Sequence, residues 1–220
     1  MTTPNVPARS RYGAQDESIS EWAMLHKREV SWAVIALAII VAGIWYYERS
    51  QSIKGQRAEA AYFQARQSAA AGNVPLAVSD LKKVVSRYEG TSAGTQAALT
   101  LAQTLYEQKK FKEGLDVLKA AEAKAPEDFK ASIHVLEAGG YEESKDFLAA
   151  AEQYKLAAQV TRFPVDKAEY QAAAARAYSA GGKTAEAKAI WTELAKDEAA
   201  PTAAEARVRL GELEAKPMKI

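Results

Sequence analysis

Gly181-Gly182-Lys183-Thr184 is the stretch of this sequence closest to a chemical site. It has the form of the end of a phosphate-cradling loop, where backbone N–H groups and a lysine meet the phosphates. The full motif needs a further glycine five residues before the second one, and Ala177 stands there. No strand precedes it either, so these residues read as a turn between helices. The two histidines are the next candidates. Neither His26 nor His134 has a second histidine at metal-ligand spacing. His26 lies beside a long apolar stretch, and His134 reads as a packing or surface residue of a helix. The acid pair Glu142-Glu143 reads as exposed helix or turn. No nucleophile stands in a pattern with a base. The absence of cysteine removes disulfides, thiolate chemistry and cysteine-based zinc sites. No catalytic, cofactor-binding or metal-binding residue is therefore expected, no cofactor is implied, and the chain is not read as an enzyme.

The elements behind these residues are helical. Residues 57–210 are rich in alanine, sparse in proline and glycine, and without β-branched runs, which predicts an all-α fold there. Lys and Arg number 29 against 28 Asp and Glu, a formal charge of +1. Nucleic acid is excluded as the main partner, because phosphate binding needs a concentrated basic face.

Val30 to Tyr47 reads VSWAVIALAIIVAGIWYY, 18 residues without a charge. As a helix it spans roughly 27 Å, close to the hydrocarbon thickness of about 30 Å. Trp32 stands near one end and Trp45, Tyr46 and Tyr47 at the other, where aromatic rings suit the lipid headgroups. Lys27 and Arg28 bound the N-terminal side, Glu48 and Arg49 the other. A cleaved signal peptide is disfavoured by the 29 residues ahead of the run. Three Lys or Arg flank it on the N-terminal side (Arg11, Lys27, Arg28) and four on the other (Arg49, Lys54, Arg57, Arg66), so charge leaves the orientation open. Ser18-Ile19-Ser20-Glu21 fits a capping box, and a helix is expected from there. Between Tyr47 and Ala71 only Gly55 interrupts helix-favouring residues, so one helix is expected to run from the apolar segment onward.

Beyond it the sequence repeats. Ala65, Ala102, Ala138 and Ala175 are 37, 36 and 37 residues apart. Ala77, Gly114, Ala150 and Ala187 keep the same beat, as do Leu81, Leu118, Tyr154 and Trp191. Fixed phases of small and large residues mark stacked copies of one supersecondary unit. Each copy reads as two antiparallel helices: in the second, Gln96–Tyr106, a turn at Lys109-Lys110, then Phe111–Ala123. The first copy begins near Ala58, the third near Ala131 and the fourth near Ala168. Pro126, Pro164 and Pro201 are read as closing units. Gly72 and Gly182 suit the inter-helix turn, and a last helix, Ala203–Leu213, is expected to cover the open end.

The alanine pairs, the aromatic near each turn and the three prolines resemble the tetratricopeptide repeat over about residues 58–200. The unit is longer than the family's usual length, the first copy has Glu89 and Gly90 where a proline is expected, and the opening tryptophan is missing. The layout of arm, apolar helix and repeats, with Ala200-Pro201-Thr202-Ala203-Ala204-Glu205 near the close, is similar to the YfgM-type family. The expected architecture is all-α: a single N-terminal transmembrane helix, then a tetratricopeptide-like α-solenoid of about four helical hairpins with a C-terminal capping helix. In boundaries this gives a flexible arm at 1–17, a juxtamembrane helix at 18–29, a transmembrane helix at 30–47, a helical connector at 48–57, repeats at 58–213 and a tail at 214–220. The resemblance implies a bacterial inner-membrane protein with a cytoplasmic N-terminus and periplasmic repeats, associated with the protein-export channel and periplasmic chaperones.

Stacked hairpins present the first helix of each pair on their concave side. Projecting the helix period there selects Tyr62 and Arg66, then Leu99, Gln103 and Tyr106, then Val135 and Glu142, then Ala172 and Arg176. This aromatic, apolar and weakly charged mixture suits an extended peptide or a partner helix. Two partner classes fit: exported chains held transiently by an adaptor, or subunits of a large respiratory or photosynthetic membrane complex that the chain braces permanently as a non-catalytic accessory subunit. Ala36, Ala42 and Gly43 in the apolar segment could pack against another helix in either case.

Overall fold

The computed structural model describes residues 22, 24, 26–197 and 200–215. The expected arm at 1–17, the capping box at Ser18 and the end of the tail lie outside the described residues. Among the described residues there are helices and no strands. In chain order they are α1 Lys27–Ala70, α2 Val74–Arg87, α3 Ser92–Glu107, α4 Phe111–Glu122, α5 Glu127–Glu143, α6 Phe147–Val160, α7 Pro164–Ala180, α8 Thr184–Leu194 and α9 Thr202–Glu214. The chain divides into two compact units, Met1–Ile53 and Lys54–Ile220.

In the first unit, α1 carries the apolar residues 30–47, and it is the one helix among the described residues long and apolar enough to cross a membrane. Its side chains there are exposed, Trp32, Ile39, Trp45, Tyr46 and Tyr47 among them. Trp22 stacks on His26 with ring centroids 5.0 Å apart.

The second unit is the repeat array. The end of α1 pairs with α2, α3 with α4, α5 with α6 and α7 with α8; α9 packs on α8 and α7. The sequence beat sits at the centre of this packing. Ala65, Ala102, Ala138 and Ala175 are all 0 % exposed, which fits the close approach that only a methyl permits. Leu81, Leu118 and Trp191 are buried at the third phase, while Tyr154 is half-buried. The core forms in three patches: around Leu81, Leu101 and Leu105; around Leu118 and Ile133; and around Tyr178, Trp191 and Leu194.

The first helices of copies two, three and four start one turn earlier than the sequence reading places them, at Ser92, Glu127 and Pro164. Local chemistry explains each start. The Thr91 hydroxyl accepts from the Gly94 N–H at 3.0 Å. Pro126 and Pro201 are N-caps and Pro164 opens α7, so the prolines begin the next helix instead of closing a unit. Proline's fixed φ suits a first turn, where its missing N–H costs nothing.

The turns inside the hairpins follow the beat too. Gly72, Lys109, Lys145 and Gly182 all take a positive φ, between 61° and 77°. At each, the next N–H returns to a carbonyl five residues back, as in Lys110 to Leu105 and Asp146 to Tyr141, both at 2.9 Å. Gly181-Gly182-Lys183-Thr184 is one of these turns, joining α7 to α8.

Candidate partner-binding groove

The side chains selected from the sequence for a concave surface sit on the first helices but meet different fates. Tyr62 is half-buried, its hydroxyl 2.8 Å from Thr100 Oγ1 on α3, and the Arg66 guanidinium stands 5.9 Å over its ring. These two are brought together. Arg66 and Gln103 are exposed. Leu99 is half-buried on the patch around Leu118 and Ile133, and Val135 is half-buried.

Four members of the set are not free. Ala172 is 0 % exposed, inside the core. Tyr106 turns inward: its ring fills the space over Gly114 and Gly140, where a Cβ would overlap it, and its hydroxyl is buried without a partner. Burial, then the nearby Glu137 charge, pushes that hydroxyl's pKa upward. Glu142 accepts from the Tyr154 hydroxyl at 3.2 Å, and burial with this carboxylate raises Tyr154 to about 12. Arg176 is held by Glu205 of α9, with Nη1 2.8 and 3.0 Å from the two carboxylate oxygens, and by Glu169 at 3.1 Å. Burial opposes its charge, but these hydrogen bonds outweigh it and its pKa is raised. The helical period tells which face a residue occupies; it does not tell which neighbouring helix reaches across to claim it. Arg66 and Gln103 are the members left open to a partner.

A depression of 690 Å³ opens on the side of α4, lined by Phe111, Leu115, Lys119 and Tyr141. Lys119 stands 5.5 Å over the Tyr141 ring. Its signal in the sequence is Phe111, the aromatic that follows the turn at Lys109-Lys110. His134, expected to pack or face solvent, is buried, with carboxylates of Glu122 and Glu137 around it, a donor set able to hold a metal ion. The membrane-interface candidates Lys27 and Arg28 lie exposed on the first turn of α1, with Trp32 exposed beyond them.

The profile of the tetratricopeptide repeat-like domain family matches residues 21–161. No curated protein matches the sequence. Among solved structures, the chain is similar to a putative kinesin light chain with nearly identical TPR-like repeats from Podosopora anserina. That pair shares 18 % identity over 72 % of this chain and 86 % of the other, with a TM-score of 0.55. It is also similar to BtubC from P. vanneervenii, at 14 % identity over 73 % of this chain and 66 % of the other, with a TM-score of 0.51. At such identities the likeness is one of fold.

Proposed function

We propose a membrane-anchored protein–protein interaction module, acting as an adaptor or chaperone-like factor beside protein-export machinery, on the ground that the chain belongs to the tetratricopeptide repeat-like domain family. The observation that carries the anchor is α1 itself. One helix holds both the apolar segment and the opening of the first repeat, and none of the uncharged residues 30–47 is buried. So large an apolar surface is stable in lipid and costly in water. The family match begins at residue 21, ahead of that segment, so it takes in the apolar helix together with the first repeats.

Similarity of layout to the YfgM-type family supports the finer reading: a bacterial inner membrane, a cytoplasmic N-terminus and periplasmic repeats. Trp32, Trp45, Tyr46 and Tyr47 then sit at the two headgroup layers, with Lys27 and Arg28 on the cytoplasmic side. The partner is a protein, an exported chain or a subunit of a membrane complex, met through exposed positions such as Arg66 and Gln103. No catalysis, cofactor or nucleic acid enters this reading.

The test is photo-crosslinking from Gln103 in intact cells, followed by purification in mild detergent. The expected result is adducts with several exported chains at substoichiometric yield. A single membrane complex recovered at fixed one-to-one stoichiometry would replace the adaptor with a structural subunit. Release of the chain from vesicles by carbonate washing would remove the anchor.

A further inference from the structure

Among the described residues, the third repeat is where a histidine and a carboxylate are buried. At the phase of Ala61, Ala98 and Gln171 it carries His134, and at the phase of Gln64, Leu101 and Ala174 it carries Glu137. Glu137 is 1 % exposed and His134 4 %. Glu122, at the end of α4, brings Oε1 to 3.5 Å from His134 Nε2. On the other side of the ring, Nδ1 is 2.9 Å from Gln153 Oε1 and 3.7 Å from Glu137 Oε2. One donor atom from each of Glu122, His134 and Glu137 lies within 4.8 Å of the other two. Glu137 Oε1 is buried without a hydrogen-bond partner.

A carboxylate taken from water without full compensation costs several kcal/mol, so Glu137 calls for a cation. A proton on His134 supplies one positive charge against two carboxylates and leaves these three side chains at −1, with the Lys119 ammonium a further cation whose field reaches Glu137. A divalent ion beside a neutral imidazole brings the sum to zero. Two carboxylates and one imidazole are also the three-ligand set that zinc accepts, with a fourth position left for water. Gln153 Oε1 accepts from the ring at Nδ1, an outer contact that leaves Nε2, on the Glu122 side, as the nitrogen free to ligate. Glu122, the half-exposed member, gives the ion a way in.

We propose that Glu122, His134 and Glu137 bind a divalent transition-metal ion of the zinc type, which ties α4 to α5 inside the repeat array. The test uses the untagged full chain in mild detergent, stripped with chelator, titrated with Co2+ for its visible absorption and then with Zn2+ in competition. One saturable site per chain is expected. Glu122→Gln, at a half-exposed position, should weaken it at least about tenfold. The double variant H134A/E137L carries the residues that the second repeat has at those phases, Ala98 and Leu101. It should keep the helical circular dichroism and bind no metal, while His26→Ala should bind as the parent does. Absence of saturable binding by the parent chain overturns the proposal. So does undiminished binding by both E122Q and H134A/E137L. This outcome is independent of crosslinking from Gln103, because neither metal titration nor the variants involve a protein partner.

Discussion

At Tyr106 one large side chain sets the size of two others. A Cβ on Gly114 would come within 2.8 Å of the ring's Cδ1, and one on Gly140 within 2.5 Å of its Cζ. Gly114→Ala should therefore cost about 1–3 kcal/mol through overpacking, although alanine is what the other copies carry at that phase. Tyr106→Phe removes a buried hydroxyl that has no partner, and it should leave stability unchanged or raise it by up to about 1 kcal/mol. Urea unfolding of the full chain in mild detergent checks both, and a large loss on Tyr106→Phe would mean the hydroxyl is satisfied after all. The turn residues give a paired test. Gly182→Ala forces a side chain into φ 77° and should cost about 1 kcal/mol. Lys109→Gly relieves the same conformation and should gain up to about 1 kcal/mol, offset in part by the loss of the ammonium 5.6 Å over the Phe111 ring. Equal signs for the two substitutions would contradict a shared turn geometry.

At the scale of the helix, α9 caps the array through a small buried face, with Leu210 and Leu213 packed beside it and Glu214 paired to Lys188 at 2.7 Å. Its buried residues are Thr202, Ala203 and Ala206, and the forked Arg176–Glu205 pair fastens it to α7. Both side chains are about a third exposed, so the pair is worth no more than about 1 kcal/mol. Glu205→Gln should accordingly speed amide exchange across Thr202–Glu214 while leaving α3 to α6 protected, read by hydrogen-exchange mass spectrometry. Uniform acceleration would show that the cap is not a separate unit. The sequence made the helices legible because small and large residues recur in phase, and it made the hairpin turns legible through Gly72 and Gly182. The turn at Lys109-Lys110 is legible as well, but the positive φ at Lys109, and the matching turn at Lys145, are not, since a lysine gives no hint of that conformation. The starts of the third and fourth copies fall a turn earlier than expected because Pro126 and Pro164 open helices instead of ending units, and that of the second because Thr91 caps it. The concave set was legible as positions, not as availability. Ala172 vanished into the core, Tyr106 into the space left by two glycines, and Arg176 and Glu142 into bonds with helices that the period of one helix cannot foresee. His134 and Glu137 stand three residues apart on α5, but the cluster is not legible because its third member, Glu122, reaches them from α4.

For the molecule as a whole, the apolar part of α1 makes the sharpest claim. A single Ile39→Arg, at an exposed site within that segment, should cost about 3 kcal/mol of insertion free energy and shift the chain toward the carbonate-soluble fraction. Full retention in the pellet would show that something other than this helix holds it. The repeat array carries a different consequence. From α2 onward, each substantial packing joins helices adjacent or next but one in the chain. Contacts so local close small loops, which is the topology of fast folding. A polypeptide built this way can take shape as it is delivered, each hairpin settling on the one before it while the C-terminus is still being made.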